Sequence, residues 1–424
     1  MNTFSQKFSL LFADRTLRNR LLFVLGTLVV FRLLATIPIP GINAQQLQLF
    51  FANNQFFGLL NLFSGGGLSN LSIVMLGVGP YITASIILQL MTMMFPRLKQ
   101  LYQEEGEAGR ARFSQYTRML TLPVAVLQGV SFLLILQREN ILPGLTPFQF
   151  AANLLVITAG SIFLMWLGEL ISEFGLGNGM SVLIFAGIVA KLPQTASQAL
   201  FSFDSTQIPV YLAFLAAAVA IVAAVVIVTE AERPVPVTYA KQVRGMRSAG
   251  GGAPTYLPLR LNQAGVIQII FALSLLLIPQ MTATFFSTSS HYWVSFVAGG
   301  VLHFLQNLTY YGILYFILVF FFTYFYTAVT FDPHQISENL QKNGAFIPGV
   351  RPGGSTTEYL SNVITRITFV GALFLGIIAV LPIAMQSFTG VQTLAIGGTG
   401  LLIVVSVILD LARRIDAQIS IREY

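Results

Sequence analysis

Long apolar segments recur along this chain, and they restrict its fold more than any other feature does. Each approaches the roughly 20 residues that an α-helix needs to cross a bilayer. Only 9% of the residues are charged and the mean hydropathy is +0.75, whereas soluble domains carry about 25% charged residues. The chain is therefore predicted to be an all-α polytopic membrane protein. We expect ten transmembrane helices, at about residues 21–39, 61–94, 117–136, 150–170, 180–201, 208–228, 264–285, 301–326, 363–383 and 394–411.

The second segment, residues 61–94, is too long for one span and is interrupted. Ser64 and three glycines break it near its start, and it becomes fully apolar only after Met75. Glycine and proline at residues 77–80 mark a second junction. We predict a short re-entrant half-helix of roughly three turns, followed by a spanning helix. Because backbone that is not helical at membrane depth needs protein or water to satisfy it, this break predicts an enclosed aqueous space.

The distribution of basic residues predicts the orientation. Of the 23 Lys and Arg residues, Arg138 and Lys191 fall in loops on one side and Arg32 lies inside the first span, which leaves 20 on the opposite side. That side is cytoplasmic by the positive-inside rule, and it includes both termini. The net charge of +7 is thus explained by topology without a nucleic acid partner. The first twenty residues lack the pattern of a cleavable signal peptide, so the first span is expected to direct insertion.

The ten predicted spans divide into two halves of five around a long central loop. An odd number of spans in each half places the halves in inverted orientation, which puts a site or pathway at their interface. The predicted divisions are a cytoplasmic segment at residues 1–20, an N-terminal half at 21–201, a C-terminal half at 208–411 and a cytoplasmic tail at 412–424. The C-terminal half contains two long cytoplasmic loops, at residues 231–262 and 331–361.

Several kinds of chemistry are missing from the predicted spans. None of the 16 acidic residues lies at the middle of a span, where ion-coupled transporters and proton pumps keep carboxylates. The three histidines lie in loops or at span ends, and the chain has no cysteine, so no metal cluster or nucleophile–base pair is visible. The glycine-rich runs lack the Gly-Lys-Ser/Thr of a phosphate-binding loop. We therefore expect no enzyme activity, no cofactor and no direct nucleotide binding, and any driving energy must come from a partner.

Apolar pairs four residues apart mark one face of several predicted spans. For any single pair, ordinary packing in the core or against lipid is the favoured explanation. Polar residues such as Gln128 and Asn307, in or near spans, indicate either a polar interior surface or hydrogen bonds between helices. The apolar pairs are Val78 and Ile82, Met180 and Ile184, and Val266 and Ile270.

Both long cytoplasmic loops contain more local order than a connection between spans requires. The first combines an extended V-P-V-T-Y run with Lys241, Arg244, Arg247 and a glycine hinge. The second predicts a short helix capped by Asp332, followed by a Gly/Pro-rich rigid turn around Arg351. The loops are interpreted either as a docking surface for a partner or as simple orientation signals.

Seven stretches of the chain resemble the SecY family of bacterial protein-conducting channel subunits, and the resemblance runs from the first span to the last. They are GGGLSNLSIVMLGVGPYITASIILQL, EGEAGRARFSQYTR, FLMWLGELISEFGLGNGMSVLIFAGIVAKLP, VTYAKQVRGMR, YLPLRLNQAGVIQIIFA, FFTYFYTAVTFDPHQISENLQKNGAFIPGVRPG and GGTGLLIVVSVILD. The resemblance implies an hourglass channel between two five-helix halves. Such a channel passes unfolded secretory polypeptides across the membrane and releases membrane-protein segments sideways into it.

The resemblance also implies which residues close this channel. A re-entrant plug and a ring of apolar side chains would form the seal. Several ring positions carry valine or methionine where the family pattern is mostly isoleucine. The plug maps to Leu62, Phe63, Ser64, Gly65, Gly66, Gly67, Leu68, Ser69, Asn70 and Leu71. The ring maps to Val78, Ile82, Met180, Ile184, Val266, Ile270 and Ile403.

A lateral gate and a docking surface follow from the same resemblance. The gate, through which signal sequences reach membrane lipids, would lie between spans two and three on one side and spans seven and eight on the other. Gln128 and Asn307 are its candidate polar contacts. The implied partners are the small subunits SecE and SecG, the SecA ATPase, the ribosome and unfolded preproteins, at the bacterial cytoplasmic (inner) membrane. The implied docking residues are Lys241, Arg244, Arg247, Arg351, Pro352 and Gly353.

Two hypotheses from different classes remain open at this point. The first is a passive polypeptide channel, which the broken second span, the missing midplane charges and the large cytoplasmic loops favour. The second is a secondary transporter of a small solute, with its site at the interface of the inverted repeats. Met246 precedes Arg247 where family members often carry two adjacent arginines, so the strength of ribosome docking is left open, as is the role of Arg32.

Overall fold

The computed structural model describes most of the chain. The described residues are 14–40, 64–68, 70–103, 105–138, 141–142, 144–190, 193, 197, 208–239, 243–244, 247–248, 255–262, 265, 267–287, 291–389 and 392–423.

Among its described residues, the N-terminal half contains six helices, and most of their ends follow from local sequence. Asp14 caps the first helix by accepting a hydrogen bond from Thr16 N at 2.8 Å, and Asn178 caps the sixth in the same way. The second helix ends at Met94, with Phe95 as its C-cap before Pro96, as helices usually end at or before the residue preceding a proline. The next helix turns away by 116°. The helices are α1 (Arg15–Thr36), α2 (Gly79–Met94), α3 (Pro96–Gln103), α4 (Gly106–Arg138), α5 (Pro147–Phe174) and α6 (Gly179–Val189).

The described part of the C-terminal half contains seven helices and five strands. The helices are α7 (Ile208–Glu230), α8 (Ile267–Phe286), α9 (Tyr292–Gln306), α10 (Leu308–Thr330), α11 (Pro333–Lys342), α12 (Gly354–Thr389) and α13 (Gln392–Glu423). The strands are β1 (Glu232–Tyr239), β2 (Val243–Arg244), β3 (Arg247–Ser248), β4 (Thr255–Arg260) and β5 (Ala345–Phe346).

Six described helices are long and apolar enough to cross a membrane, or seven if the bent pair α2 and α3 counts as one span. The chain is thus a mostly helical, multi-pass membrane protein, as predicted. The count of ten spans remains a prediction. On α1, Leu22, Leu25 and Val29 are exposed, which fits a helix whose outer face is covered by lipid rather than by protein.

Span eight begins later than predicted. The sequence indicated one helix over about residues 301–326, but α9 ends at Gln306 and α10 begins at Leu308. Asn307 separates the two helices, because its Oδ1 accepts hydrogen bonds from Thr309 N at 3.1 Å and Tyr310 N at 3.4 Å. Asparagine is among the strongest N-cap residues. Hydropathy cannot detect this break, because both flanking segments are apolar.

The two halves of the chain meet along two seams. In one, α8 of the C-terminal half packs against α2 and α4. In the other, α13 packs against α6. The largest hydrophobic cluster contains buried residues from both halves and lies between these seams.

The two long loops that were predicted to be cytoplasmic are joined by one three-stranded sheet. The predicted extended run forms β1, which pairs antiparallel with β4 of its own loop and with β5 of the second loop, in the order β4-β1-β5. Val235 on β1 is opposite Leu257, and Thr238 is opposite Phe346. Val235, Leu259 and Ile347 are buried in one cluster with the start of α12. The loops are therefore one folded unit on the end of span nine.

Candidate functional site

The predicted apolar ring residues come together in one place. Five of them are buried in the largest hydrophobic cluster, and Met180 packs against it partly buried. Val266 lies outside the described residues. These positions belong to α2 or the turn before it, α6, α8 and α13, so both halves contribute to the cluster. The five buried residues are Val78, Ile82, Ile184, Ile270 and Ile403.

Three further residues in this cluster were missed by the sequence reasoning. Ile86, Ile188 and Val407 are buried in it. Each lies four residues after a predicted ring position and continues the same helix face. Extending the i, i+4 pattern by one step would have found them.

The described part of the predicted plug is made of turns. The sequence predicted a half-helix of about three turns, but residues 64–68 and 70–78 form turns with i to i+3 hydrogen bonds, such as Gly67 N to Ser64 O at 3.1 Å and Leu71 N to Leu68 O at 3.0 Å. The Ser64 hydroxyl also accepts from Leu68 N at 3.0 Å. Serine side chains that bond nearby backbone compete with helix formation, and glycine lowers helix propensity further. Leu62, Phe63 and Ser69 lie outside the described residues.

The described plug residues are nevertheless tightly packed. Leu68 and Leu71 are fully buried in a second hydrophobic cluster, together with Met75, which follows the plug. That cluster includes Phe132 of α4 and Met281 of α8. The plug segment therefore contacts the seam where the two halves meet.

The polar residues near this seam are arranged differently from the prediction. Gln128 Nε2 donates to Thr83 Oγ1 at 3.3 Å, which links α4 to α2 rather than to the opposite half. Both side chains line an enclosed cavity of about 20 Å³, and buried Ser274 of α8 lines it from the other half. A cavity of this size has room for about one water molecule. Asn307 is at the start of α10, where its side chain is occupied in capping that helix.

The turn that carries Arg351 is rigid, and its side chains are exposed. The Gly353 carbonyl accepts from Ser337 Oγ at 2.8 Å and from Thr356 N at 3.0 Å. Gly353 has φ +97°, a conformation that favours glycine. Arg351 and Pro352 point to solvent, and within the described part of the chain Arg351 forms no ion pair. The predicted cap of the preceding helix is confirmed, because Asp332 Oδ1 accepts from His334 N at 2.9 Å.

The basic residues of the first loop are only partly described. Arg244 in β2 pairs with Arg247 in β3 through a short antiparallel ladder, and Lys241 lies outside the described residues.

The solvent-facing side of the three-stranded sheet is a feature that the sequence did not predict. Pro236 and Tyr256 are opposite each other on this side and both are exposed, as is Phe346. Alternation along a strand shows which residues share a face. It could have identified this face only if the pairing of β1 with β4 and β5 had been known.

Among the described residues, no three His, Cys, Asp or Glu side chains lie close enough to hold a metal ion.

The same fold and related sequences occur in known proteins. A sequence model of the family described as SecY matches residues 72–412. The protein translocase subunit SecY of Mycobacterium bovis is 42% identical over 430 residues, covering 96% of each chain. A solved structure described as the plug domain of the SecY protein, which stabilises the closed state of the translocation channel and maintains a membrane seal, matches with a TM-score of 0.66 and 20% identity over 93% of this chain and 91% of that chain. Sec61 in a canine ribosome-channel complex from the endoplasmic reticulum matches over the same shares with a TM-score of 0.63 and 20% identity.

Proposed function

The chain belongs to the SecY family, and from this premise we propose that it is a channel that conducts unfolded polypeptides across the cytoplasmic membrane. The observation that carries the proposal is the joint burial of Val78, Ile82, Ile184, Ile270 and Ile403 in one cluster between the two halves. A narrow apolar constriction disfavours water and ions when it is empty. It can also fit around chains of any sequence, because it offers no specific hydrogen bonds.

Residues 62–71 are proposed to be the plug that completes this seal. Burial of Leu68 and Leu71 against residues of α4 and α8 supports this role. The related structure that is described as a plug-domain structure is said to maintain a membrane seal. Family membership does not favour the alternative of a small-solute transporter, and we propose neither a catalytic role nor direct nucleotide binding.

The seam between α2, α4 and α8 is proposed to be the lateral gate. The cavity lined by Thr83, Gln128 and Ser274 supports this assignment, because it leaves the seam incompletely packed. Signal sequences and membrane-protein segments would pass through this seam to reach lipid. Asn307, a predicted gate contact, is proposed to act by fixing the position of the α9–α10 break, because its side chain caps α10.

The cytoplasmic sheet and the Arg351 turn are proposed to dock the partners that supply energy or nascent chains. These partners are the SecA ATPase and the ribosome, and a canine Sec61 structure that shares the fold is described in a ribosome complex. Arg351, Pro352 and Gly353 form the rigid part of this surface, and Lys241, Arg244 and Arg247 add positive charge. We further propose SecE and SecG as membrane subunits, a bacterial inner-membrane location and cytoplasmic termini.

Cross-linking tests the channel proposal directly. The chain has no cysteine, so single cysteines at Ile82 and Ile270 can be cross-linked to a preprotein that is stalled during translocation. Val29→Cys, on the exposed face of α1, is the matched control. We expect cross-links at the two buried positions and none at Val29. Cross-links at Val29 alone, or only at loop positions, would contradict a central polypeptide pathway.

A further inference from the structure

Arg32 is a charged residue in an apolar helix, and the channel as described does not use it. It follows Leu21, the start of the predicted span, by 32 − 21 = 11 residues, which places it roughly 16 Å along the helix axis. This is near the middle of a hydrocarbon core of about 30 Å. Ionisable residues at such depth are costly and usually functional.

The guanidinium of Arg32 contacts the plug segment. Its Nη1 donates a long hydrogen bond of 3.4 Å to the Gly65 carbonyl. Gly65 has φ +64°, a conformation that glycine adopts readily and other residues rarely do. A Cβ at Gly65 would overlap the ring of Phe31, the neighbour of Arg32. Two adjacent side chains of α1 therefore engage the same glycine.

A second set of bonds holds the base of the plug segment to the end of α1. The carbonyls at a helix C-terminus lack partners within the helix, and lipid provides none, so these bonds satisfy groups that would otherwise be costly to bury. The bonds run from Asn70 Nδ2 to Ala35 O at 3.3 Å, from Ile39 N to Leu71 O at 2.9 Å and from Ile73 N to Ile37 O at 3.0 Å.

The two sets of contacts differ in kind. The base, residues 70–73, is held mainly by backbone bonds that also complete the end of α1. The tip, residues 64–68, is bonded to α1 through the side chain of Arg32. A side chain can change its hydrogen-bond acceptor without unfolding a helix end. The tip is therefore the part that can be released while the base stays attached.

We propose that Arg32 is a positioning residue that latches the tip of the plug in the resting channel, and that the Arg32–Gly65 bond must break before the tip moves. This inference rests on the proposed function, because it requires a plug that leaves the pore. Hydrogen bonds from a charged donor are strong where water is scarce. Entry of water or a polar polypeptide gives the guanidinium other acceptors and releases the tip.

The test uses Arg32→Met, Arg32→Lys and the depth-matched control Leu33→Met, which changes an exposed neighbour on the same helix. Each is combined with Leu68→Cys, a buried reporter, in the complete translocon reconstituted in liposomes. We measure ion leak and the rate of labelling by a membrane-impermeant maleimide. Arg32→Met is expected to raise the ion leak and the labelling rate roughly tenfold, because a hydrogen bond from a charged group contributes enough free energy for a change of that size. Arg32→Lys retains a donor and is expected to raise them less, and Leu33→Met is expected to leave both unchanged.

The same substitutions in a variant that lacks residues 62–71 separate the latch from other roles. If Arg32 acts only on the plug, Arg32→Met adds nothing to the leak of that variant. The latch is overturned if Arg32→Met raises the ion leak equally with and without residues 62–71. It is also overturned if Arg32→Met leaves the labelling rate of the full chain unchanged. If the deletion itself causes no leak, the plug assignment fails and the latch fails with it. Should Arg32→Met not insert, Arg32→Ala, which also lacks a donor, carries the same test.

Discussion

Gly187 of α6 lies directly against the backbone of Gly65 in the plug segment. A Cβ at Gly187 would be 3.1 Å from Gly65 N and would overlap Gly65 Cα, and a Cβ at Gly65 would be 3.2 Å from Gly187 Cα. The tip of the plug is therefore held between α1 on one side and α6 on the other. Neither glycine can gain a side chain without moving the tip.

Gly187→Ala is therefore expected to displace the plug. The same substitution should stabilise α6, the helix that contains residue 187. Alanine is a better helix former than glycine by about 1 kcal/mol, so α6 itself should not unfold. We expect ion leak through the resting channel to rise severalfold in proteoliposomes. Gly26→Ala in α1 is the control, because a Cβ there meets nothing within 4 Å. Equal leak from the two variants would show that the contact does not position the plug.

Ile270→Asn tests the apolar seal. The side chain of Ile270 is buried in the central cluster, and an amide without a partner there costs about 1–3 kcal/mol. The closed state should lose stability and single-channel recordings should show more frequent openings, by roughly tenfold. Ile270→Leu, which conserves volume, is expected to change the openings little. If the Ile270→Asn channel opens no more often than the unmodified channel, this position has no role in the seal.

Arg351→Glu tests the docking turn. The exposed guanidinium is presented by a rigid backbone that Ser337 and Thr356 hold, so the substitution should remove a partner contact without unfolding the loop. We expect loss of SecA-driven translocation by at least about 100-fold, with membrane insertion intact, because reversing a docked charge leaves the partner's charge unpaired.

Lys342→Glu is the matched control for Arg351→Glu, because it reverses an exposed charge on the neighbouring helix α11. Lys342 pairs with Glu338 at 3.4 Å, and exposed pairs of this kind contribute at most about 1 kcal/mol. Translocation should therefore stay within roughly twofold of the unmodified protein. Normal translocation by Arg351→Glu would remove this turn from the docking surface.

Gln128→Leu tests the seam between the halves. Thr83 keeps a partner, the Gly79 carbonyl at 3.0 Å, so the substitution leaves no unpaired hydroxyl. A more apolar closed seam should open less readily, by up to about 1 kcal/mol or roughly fivefold. Translocation assays with weakly apolar signal sequences should show this decrease. Gln89→Leu is the control, because it removes an amide that bonds within α2. It should leave translocation with these signal sequences unchanged.

Local sequence predicted those features that local physical chemistry decides. Apolar segments of spanning length indicated the helices, Asp332 indicated a capped helix that is present as α11, and the extended V-P-V-T-Y run is present as β1. The i, i+4 apolar faces and the family resemblance together identified residues that share the central cluster. Each of these signals depends on neighbours within a few residues, which a single sequence displays directly.

Some features were missed although their cause is local, and others depended on partners far along the chain. The helix break at Asn307 was missed because hydropathy does not register a cap between two apolar helices. The plug residues form turns because the Ser64 side chain and the glycines compete with helical bonding. The pairing of β1 with β5 joins residues more than 100 positions apart, and nothing in either loop alone specifies that register.

The sequence by itself determined that this chain is a multi-pass helical membrane protein of the SecY type, because hydrophobicity, charge bias and characteristic motifs are properties of short stretches. Only the tertiary structure decided how the plug is held. Arg32 and Gly65 are 33 residues apart, and Gly65 and Gly187 are farther apart still. Their contacts exist because three elements pack at one point, and no local pattern in any of the three stretches encodes that meeting.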